Sequence, residues 1–246
     1  MSTYLWLLDA GHGGMNNGKY TTAPAKMHVF DDGLTFYEGV NNRHIVNRLI
    51  QWLQRNQVDF MTVHDEVEDT PLKQRVLVAN AMHAQEKRCI YLSIHSDAMP
   101  PGAHGKGSGF AIYTSKGQTA SDAVAQIFCD TYRRELPRFR LREDRTDGDG
   151  DKEEDFYVLR KTTCPALLIE NLFFDNRPEA EYLLSEPGQA HIAHTIYKAI
   201  HSTETLKPYE NHDQKSSRPP VHALSPSTTQ DYSPEANTQP RTANGQ

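Results

Sequence analysis

Asp9-Ala-Gly-His12-Gly-Gly14 follows directly on the apolar run Tyr4-Leu-Trp-Leu-Leu8. A short apolar run entering a glycine-rich turn reads as a buried strand that presents one histidine at its end. Two later stretches repeat this layout, Ile90-Tyr-Leu-Ser-Ile-His95 and Ala166-Leu-Leu-Ile-Glu170. Each ends in a side chain able to bind a metal or move a proton. Helical patterns separate them. Over residues 38–56, Val40, Ile45, Val46, Leu49, Ile50 and Leu53 recur at three- and four-residue spacing, with Glu38 in the first turn, where the helix dipole favours a carboxylate. Pro71 opens a second helix with Leu72, Val76, Ala79 and Met82 on its inner face, as proline does at a first helical position. Residues 119–135 read as a third helix with Val124, Ile127, Phe128 and Tyr132 inward, and 178–184 and 188–201 as two more.

Residues 58–63 and 109–114 read as further strands, and 15–37, with Gly18, Pro24 and Gly33 and no helical period, as one long loop. Strands alternating with helices indicate an α/β domain, a single mostly parallel central sheet with helices on both faces. Ligands of such sheets gather beyond the carboxyl ends of the strands, which is where His12, His95 and Glu170 fall.

Composition bounds the rest. Of 246 residues, 37% are hydrophobic, and mean hydropathy is −0.69, low for a chain that is globular throughout. The composition shifts near Thr205, and the Pro-, Ser-, Thr-, Asn- and Gln-rich residues 205–246 read as a disordered polar tail behind a folded domain of residues 1–204. A net charge of −6 argues against nucleic acid as the partner. No apolar run approaches the roughly 18–20 residues of a membrane span. The opening residues lack the basic and long apolar regions of an export signal, so synthesis in the cytoplasm is expected. Cys89, Cys129 and Cys164 are odd in number and form no CxxC pair, so they read as buried hydrophobes, and any metal falls to histidine and carboxylate.

Taken singly, each candidate has a plain structural reading: a hydrogen-bonded histidine, a dipole partner at a helix start, a salt-bridged glutamate. Together, His12, Glu38 and His95 match a His/His/Glu zinc set that leaves one position open for water. Glu170, at the end of an apolar strand, suits the non-ligating carboxylate that takes the proton of that water. Other patterns carry less. Gly105-Lys-Gly-Ser-Gly109 has neither phosphate-loop spacing. Asp147-Gly-Asp-Gly-Asp151 has Lys152 and Val158 where a calcium loop needs glycine and glutamate, and residues 143–155 read as a solvated acidic loop. His64-Asp-Glu66 lacks the PCxxC partner of zinc deaminases. His191 and His194 lie one turn apart on a late amphipathic helix and read as a solvated face.

Four blocks, in order, resemble one family. Asp9-Ala-Gly-His-Gly-Gly14, Glu38 with Asn41-Asn42, Ser93-Ile-His-Ser-Asp97 and Pro165-Ala-Leu-Leu-Ile-Glu-Asn-Leu-Phe-Phe-Asp-Asn176 are similar to the zinc-dependent N-acetylmuramoyl-L-alanine amidases of bacterial cell walls. The resemblance covers roughly residues 3 to 202. It implies that His12, Glu38 and His95 bind zinc (Zn2+) and that Glu170 is the catalytic carboxylate. The substrate implied is peptidoglycan, cut at the amide between the lactyl group of N-acetylmuramic acid and L-alanine. Arg75 matches a family arginine read as structural, and Asp9 as a residue orienting a ligand or the turn. Ser96-Asp97 departs from the commoner small residues or asparagine. Two rival expectations are a muropeptide-binding module without catalysis and a same-fold zinc hydrolase of another amide. With no export signal, a monomeric phage or prophage lysin released by a holin is the preferred expectation, beside a dedicated secretion system or an unrecognised export route.

Overall fold

Alternation along the first strand divides its side chains between two cores. In the computed structural model, which describes residues 2–86, 88–146 and 148–205, Leu5–Ala10 forms β1. Trp6, Leu8 and Ala10 face one apolar cluster and Leu7 the other. The same split recurs downstream: Ile90, Leu92, Ile94, Leu167 and Ile169 join the first cluster, while Cys89, Tyr91, Ala166 and Leu168 join the second. Period-two alternation with apolar residues on both faces is what a sheet covered on both sides requires.

The remaining elements are β2 (Met15–Asn16), β3 (Lys19–Tyr20), β4 (Met27–Val29), β5 (Thr35–Tyr37), α1 (Glu38–Arg55), β6 (Phe60–Thr62), α2 (Leu72–Glu86), β7 (Cys89–Asp97), β8 (Ala111–Thr114), α3 (Ala120–Glu135), β9 (Lys152–Glu153), α4 (Tyr157–Lys161), β10 (Ala166–Phe173), α5 (Arg177–Leu184) and α6 (Glu186–Glu204). The central sheet has six strands in the order β6-β1-β7-β10-β8-β9. From β6 through β10 the pairing is parallel; β8 runs antiparallel to β10, with β9 parallel to β8. The expected α/β architecture is therefore present. Helices α1, α3 and α6 supply the first core through residues such as Leu49, Phe128 and Ile196, and α2 and α4 the second through Val76, Ala79, Val158 and Leu159.

Three expectations need correction. Residues 15–37 hold two short hairpins, β2–β3 and β4–β5, rather than one loop. These hairpins complete α1, whose N-cap Tyr37 makes no side-chain cap: the Lys26 carbonyl accepts from Glu38 N at 3.0 Å, and the Tyr20 hydroxyl from Gly39 N at 2.9 Å. Orphan donors of the helix start are thus met from outside. Secondly, Leu72 is 53% exposed, and Arg75 takes the inward position in the first turn of α2. Thirdly, part of the acidic stretch is structural. Lys152–Glu153 adds an edge strand, and Asp151 is 2% exposed, accepting from Thr114 Oγ1 at 2.6 Å. Apart from Thr205, the expected polar tail lies outside the described residues.

Cys89, Cys129 and Cys164 are free and buried, burial pushing their thiols up. No helix among the described residues is long and apolar enough to cross a membrane.

Candidate metal centre

Parallel register brings distant residues level. Glu170 on β10 lies opposite His95 on β7, and Asp9 on β1 opposite Ser93. Ser93 and His95, two residues apart, share a face with Tyr91, and Glu170 shares that face with Leu168; this is the face covered by α2 and α4. His12 follows two residues beyond β1 in a left-handed conformation (φ 65°), which is strained for a residue with a side chain. The neighbouring Gly11 is required sterically, since a Cβ there would come within 2.1 Å of the His95 ring.

One ligand atom from each of His12, Glu38 and His95 lies within 4.8 Å of the others. His12 Nε2 is 3.2 Å and His95 Nδ1 3.1 Å from the same atom, Glu38 Oε1, and the two rings meet edge to face with centroids 4.9 Å apart. Glu38 is fully buried while both imidazoles keep a partly open edge. Burial drives the Glu38 carboxyl up, but the adjacent His12 and His95 imidazoles outweigh it and hold the group well below the usual carboxylate range. Burial also depresses His95, against the pull of Glu38, which favours the neutral imidazole a metal needs.

A short relay assigns the His95 tautomer. Ser93 Oγ donates to Asp9 Oδ2 at 2.8 Å and lies 3.1 Å from His95 Nε2. Its single proton is committed to Asp9, so it accepts from His95 Nε2–H. The Nδ1 lone pair then faces the Glu38 carboxylate oxygen. Two acceptors 3.1 Å apart, with His12 Nε2 and Glu38 Oε2 buried and lacking a hydrogen-bond partner among the described residues, are the geometry of a cation site. The residues fit a zinc ion in number and chemistry.

Asp9, expected to orient a ligand, acts through this relay. It is 1% exposed, pairs with Arg75 and accepts from Tyr91 Oη at 2.6 Å. Burial pushes Asp9 up, and Arg75, Tyr91 and Ser93 bring it below the ordinary value. Arg75 also donates to the backbone carbonyls of Thr70, Ala10 and His12 at 2.7, 2.8 and 3.1 Å, so it fastens the histidine turn. Arg43 reaches the His12 carbonyl too, at 2.9 Å, and Gly39 O at 2.9 Å. Sequence reasoning missed Arg43; a guanidinium inside the stripe between Asn42 and Ile45 was the available signal. Asn171 Nδ2 donates to His95 O at 3.1 Å, and Asn42 Nδ2 to Gly11 O at 3.3 Å, which gives the motif asparagines their work.

Glu170 stands at a register break, with a bulge before Phe173 and Leu172 at φ 63°, a device that re-aims a strand end. Burial raises its carboxyl well above the usual range, and the Glu38 and Asp97 charges add to this, while Lys26 and Arg142 oppose it. Its Oε2 has no hydrogen-bond partner among the described residues. A cavity of about 260 Å³ joins His12, His95 and Glu170 to an apolar wall that includes Leu72, Phe156 and Val158.

The other histidine candidates stay apart from this site. His64 Nδ1 accepts from Ala10 N at 3.0 Å inside the core; His191 bonds the Tyr182 hydroxyl at 2.9 Å, and His194 stacks on Trp52 at 4.6 Å.

The family profile described as N-acetylmuramoyl-L-alanine amidase matches residues 7–202. The endolysin of Bacillus phage SPP1 is 29% identical over 191 residues, covering 74% of this chain and 59% of the endolysin. The N-acetylmuramoyl-L-alanine amidase CwlM of Bacillus licheniformis is 32% identical over 178 residues, 72% of this chain and 60% of CwlM. The chain thus spans about 60% of the length of these two curated relatives. In fold, it is similar to the N-acetylmuramoyl-L-alanine amidase of Clostridium difficile 630 (TM-score 0.64, 24% identity, 82% of this chain and 97% of that one). It is also similar to the catalytic domain of CwlV from Bacillus (Paenibacillus) polymyxa var. colistinus (TM-score 0.63, 22% identity, 83% and 100%). Sequence match over most of its folded length and a shared architecture lead to one assignment: the chain belongs to the N-acetylmuramoyl-L-alanine amidase family.

Proposed function

We propose that this chain is a zinc-dependent N-acetylmuramoyl-L-alanine amidase that hydrolyses the amide between the lactyl group of N-acetylmuramic acid and L-alanine in peptidoglycan. The observation that carries the reading is the meeting of His12, Glu38 and His95 around one point, with Glu170 level with His95 on the adjacent strand. His12, Glu38 and His95 would hold the metal. When bound, zinc supplies Lewis-acid polarisation of the carbonyl and a lowered pKa for water. Glu170 takes the proton of the water that attacks the lactyl carbonyl. It then delivers that proton to the departing amino group of L-alanine. Its shielded, elevated carboxyl suits a group that must both accept and return a proton. Asp9 and Ser93 keep His95 in the tautomer whose Nδ1 is free, and Arg75 and Arg43 hold the His12 turn in place.

Similarity to a phage endolysin supports lysis of the bacterial wall as the biological setting. The test is digestion of purified sacculi with and without a zinc chelator. New L-alanine amino termini that disappear on chelation and return with zinc support the reading. Their absence from the zinc-loaded digest would favour a binding module or another amide.

A further inference from the structure

We propose that Lys26 holds a carboxylate of the substrate's peptide portion, so that the pocket selects stem peptides whose residue after L-alanine carries a free acid. The proposal rests on the amidase reading and deepens it. Among the pocket's cations, Arg75 is 1% exposed and its donors are engaged by Asp9, Asp69 and three backbone carbonyls. Lys26 differs. Its side chain is 49% exposed, it lines the same cavity as Glu170, and among the described residues its ammonium makes no hydrogen bond. Its ion contact is with Glu38 Oε2 at 3.8 Å. An ammonium has three donors, and its one ion contact, with Glu38, leaves donor capacity for a ligand in the cavity that Lys26 lines.

The backbone holds Lys26 there against its preference. Its φ is 58° and its carbonyl accepts from Glu38 N at 3.0 Å, and the left-handed region is disfavoured for a residue with a side chain. The same cavity is lined by two exposed apolar side chains, Leu72 at 53% and Phe156 at 37%. One cation next to an apolar wall fits a ligand with a small methyl-bearing residue followed by a carboxylate. Stem peptides begin with L-alanine, and the α-carboxylate of the next residue occurs free or amidated.

Two full-chain, zinc-loaded proteins, wild type and Lys26→Met, would be compared on muramoyl-L-alanyl-D-isoglutamate and on its isoglutamine amide. Wild type should show a KM about tenfold lower for the acid, the order expected of a charge-assisted hydrogen bond. Lys26→Met should raise KM for the acid to that of the amide, so that the acid-over-amide preference in kcat/KM disappears; Lys26→Arg should restore most of the difference. Calorimetry with the product dipeptides, L-alanyl-D-isoglutamate and L-alanyl-D-isoglutamine, reads the same preference without turnover. Equal wild-type affinity for acid and amide, or no binding of either, overturns the proposal, as does a Lys26→Met effect confined to kcat. Lys26-dependent binding of the acid without hydrolysis of either muramoyl peptide would uphold the site and reject the amidase reading.

Discussion

Ser93 Oγ lies 3.1 Å from His95 Nε2 and has already given its proton to Asp9, so the orientation of one metal-facing imidazole is decided two residues earlier on the same strand. Outer partners of this kind typically contribute 10–100-fold to metal affinity. Ser93→Ala should lower zinc affinity by about tenfold in competition with a chromogenic chelator, with the circular dichroism spectrum unchanged. Unaltered affinity would show that His95 is held by packing alone.

Glu170 and the histidines separate by what they lose. Glu170→Gln keeps the size of the side chain and should retain zinc while turnover falls about 10²–10⁴-fold, the range for a positioned acid–base group. His12→Ala and His95→Ala should instead lose the metal. Metal content and single-turnover hydrolysis, measured on the same preparations, distinguish the two. A Glu170→Gln protein with wild-type turnover would remove Glu170 from the mechanism.

Asp9 and Arg75 form a buried pair, each 1% exposed. Removing one partner leaves the other charged and enclosed, an effect of about 3–5 kcal/mol. Arg75→Met should therefore lower the urea midpoint strongly, and the double variant Asp9→Asn/Arg75→Met should recover part of the loss. Because Arg75 also holds the Ala10 and His12 carbonyls, the double variant should still bind zinc less tightly than wild type.

The residues legible in the sequence were those whose position follows from local pattern. His12, His95 and Glu170 each end an apolar run, and Glu38 starts a helix with a clear period, so strand and helix boundaries alone nominate them. Their meeting depends on parallel register, which places Glu170 beside His95 across 75 positions of chain, the crossover pattern that ordinary α/β topology supplies. Less legible were residues whose role depends on a remote partner. Ser93 sits inside an apolar run and looks like packing until Asp9 is placed opposite. Arg43 hydrogen-bonds carbonyls at positions 12 and 65, a connection no local period carries. Lys26 owes its place to a left-handed backbone and to a hairpin that has too little apolar alternation to register as strands. Leu72 was misplaced because periodicity treats every apolar position of a helix as inward, whereas a pocket mouth calls for some to face out.

Asp151 makes folding stability depend on pH near neutrality. Burial raises its carboxyl from 3.8 to about 7; the Thr114 hydrogen bond works against this, and the nearby Asp149 and Asp122 add to it. In the unfolded chain the group loses its proton near pH 3.8, whereas the folded protein keeps it until about 7. Over that interval the folded state binds the extra proton, so the stabilising contribution is complete below about pH 4 and is lost as pH rises through about 7. Asp151→Asn keeps an acceptor for Thr114 and removes the titration. Comparing the melting temperatures of metal-free wild type and variant from pH 4 to 8 reads this group together with its neighbours Asp149 and Asp122, since the remaining titrations cancel in the difference. The variant should gain on wild type as pH rises, with most of the gain complete near 8. A pH-independent difference, or a wild type that gains on the variant towards pH 8, would show that Asp151 ionises in the folded protein as readily as in water.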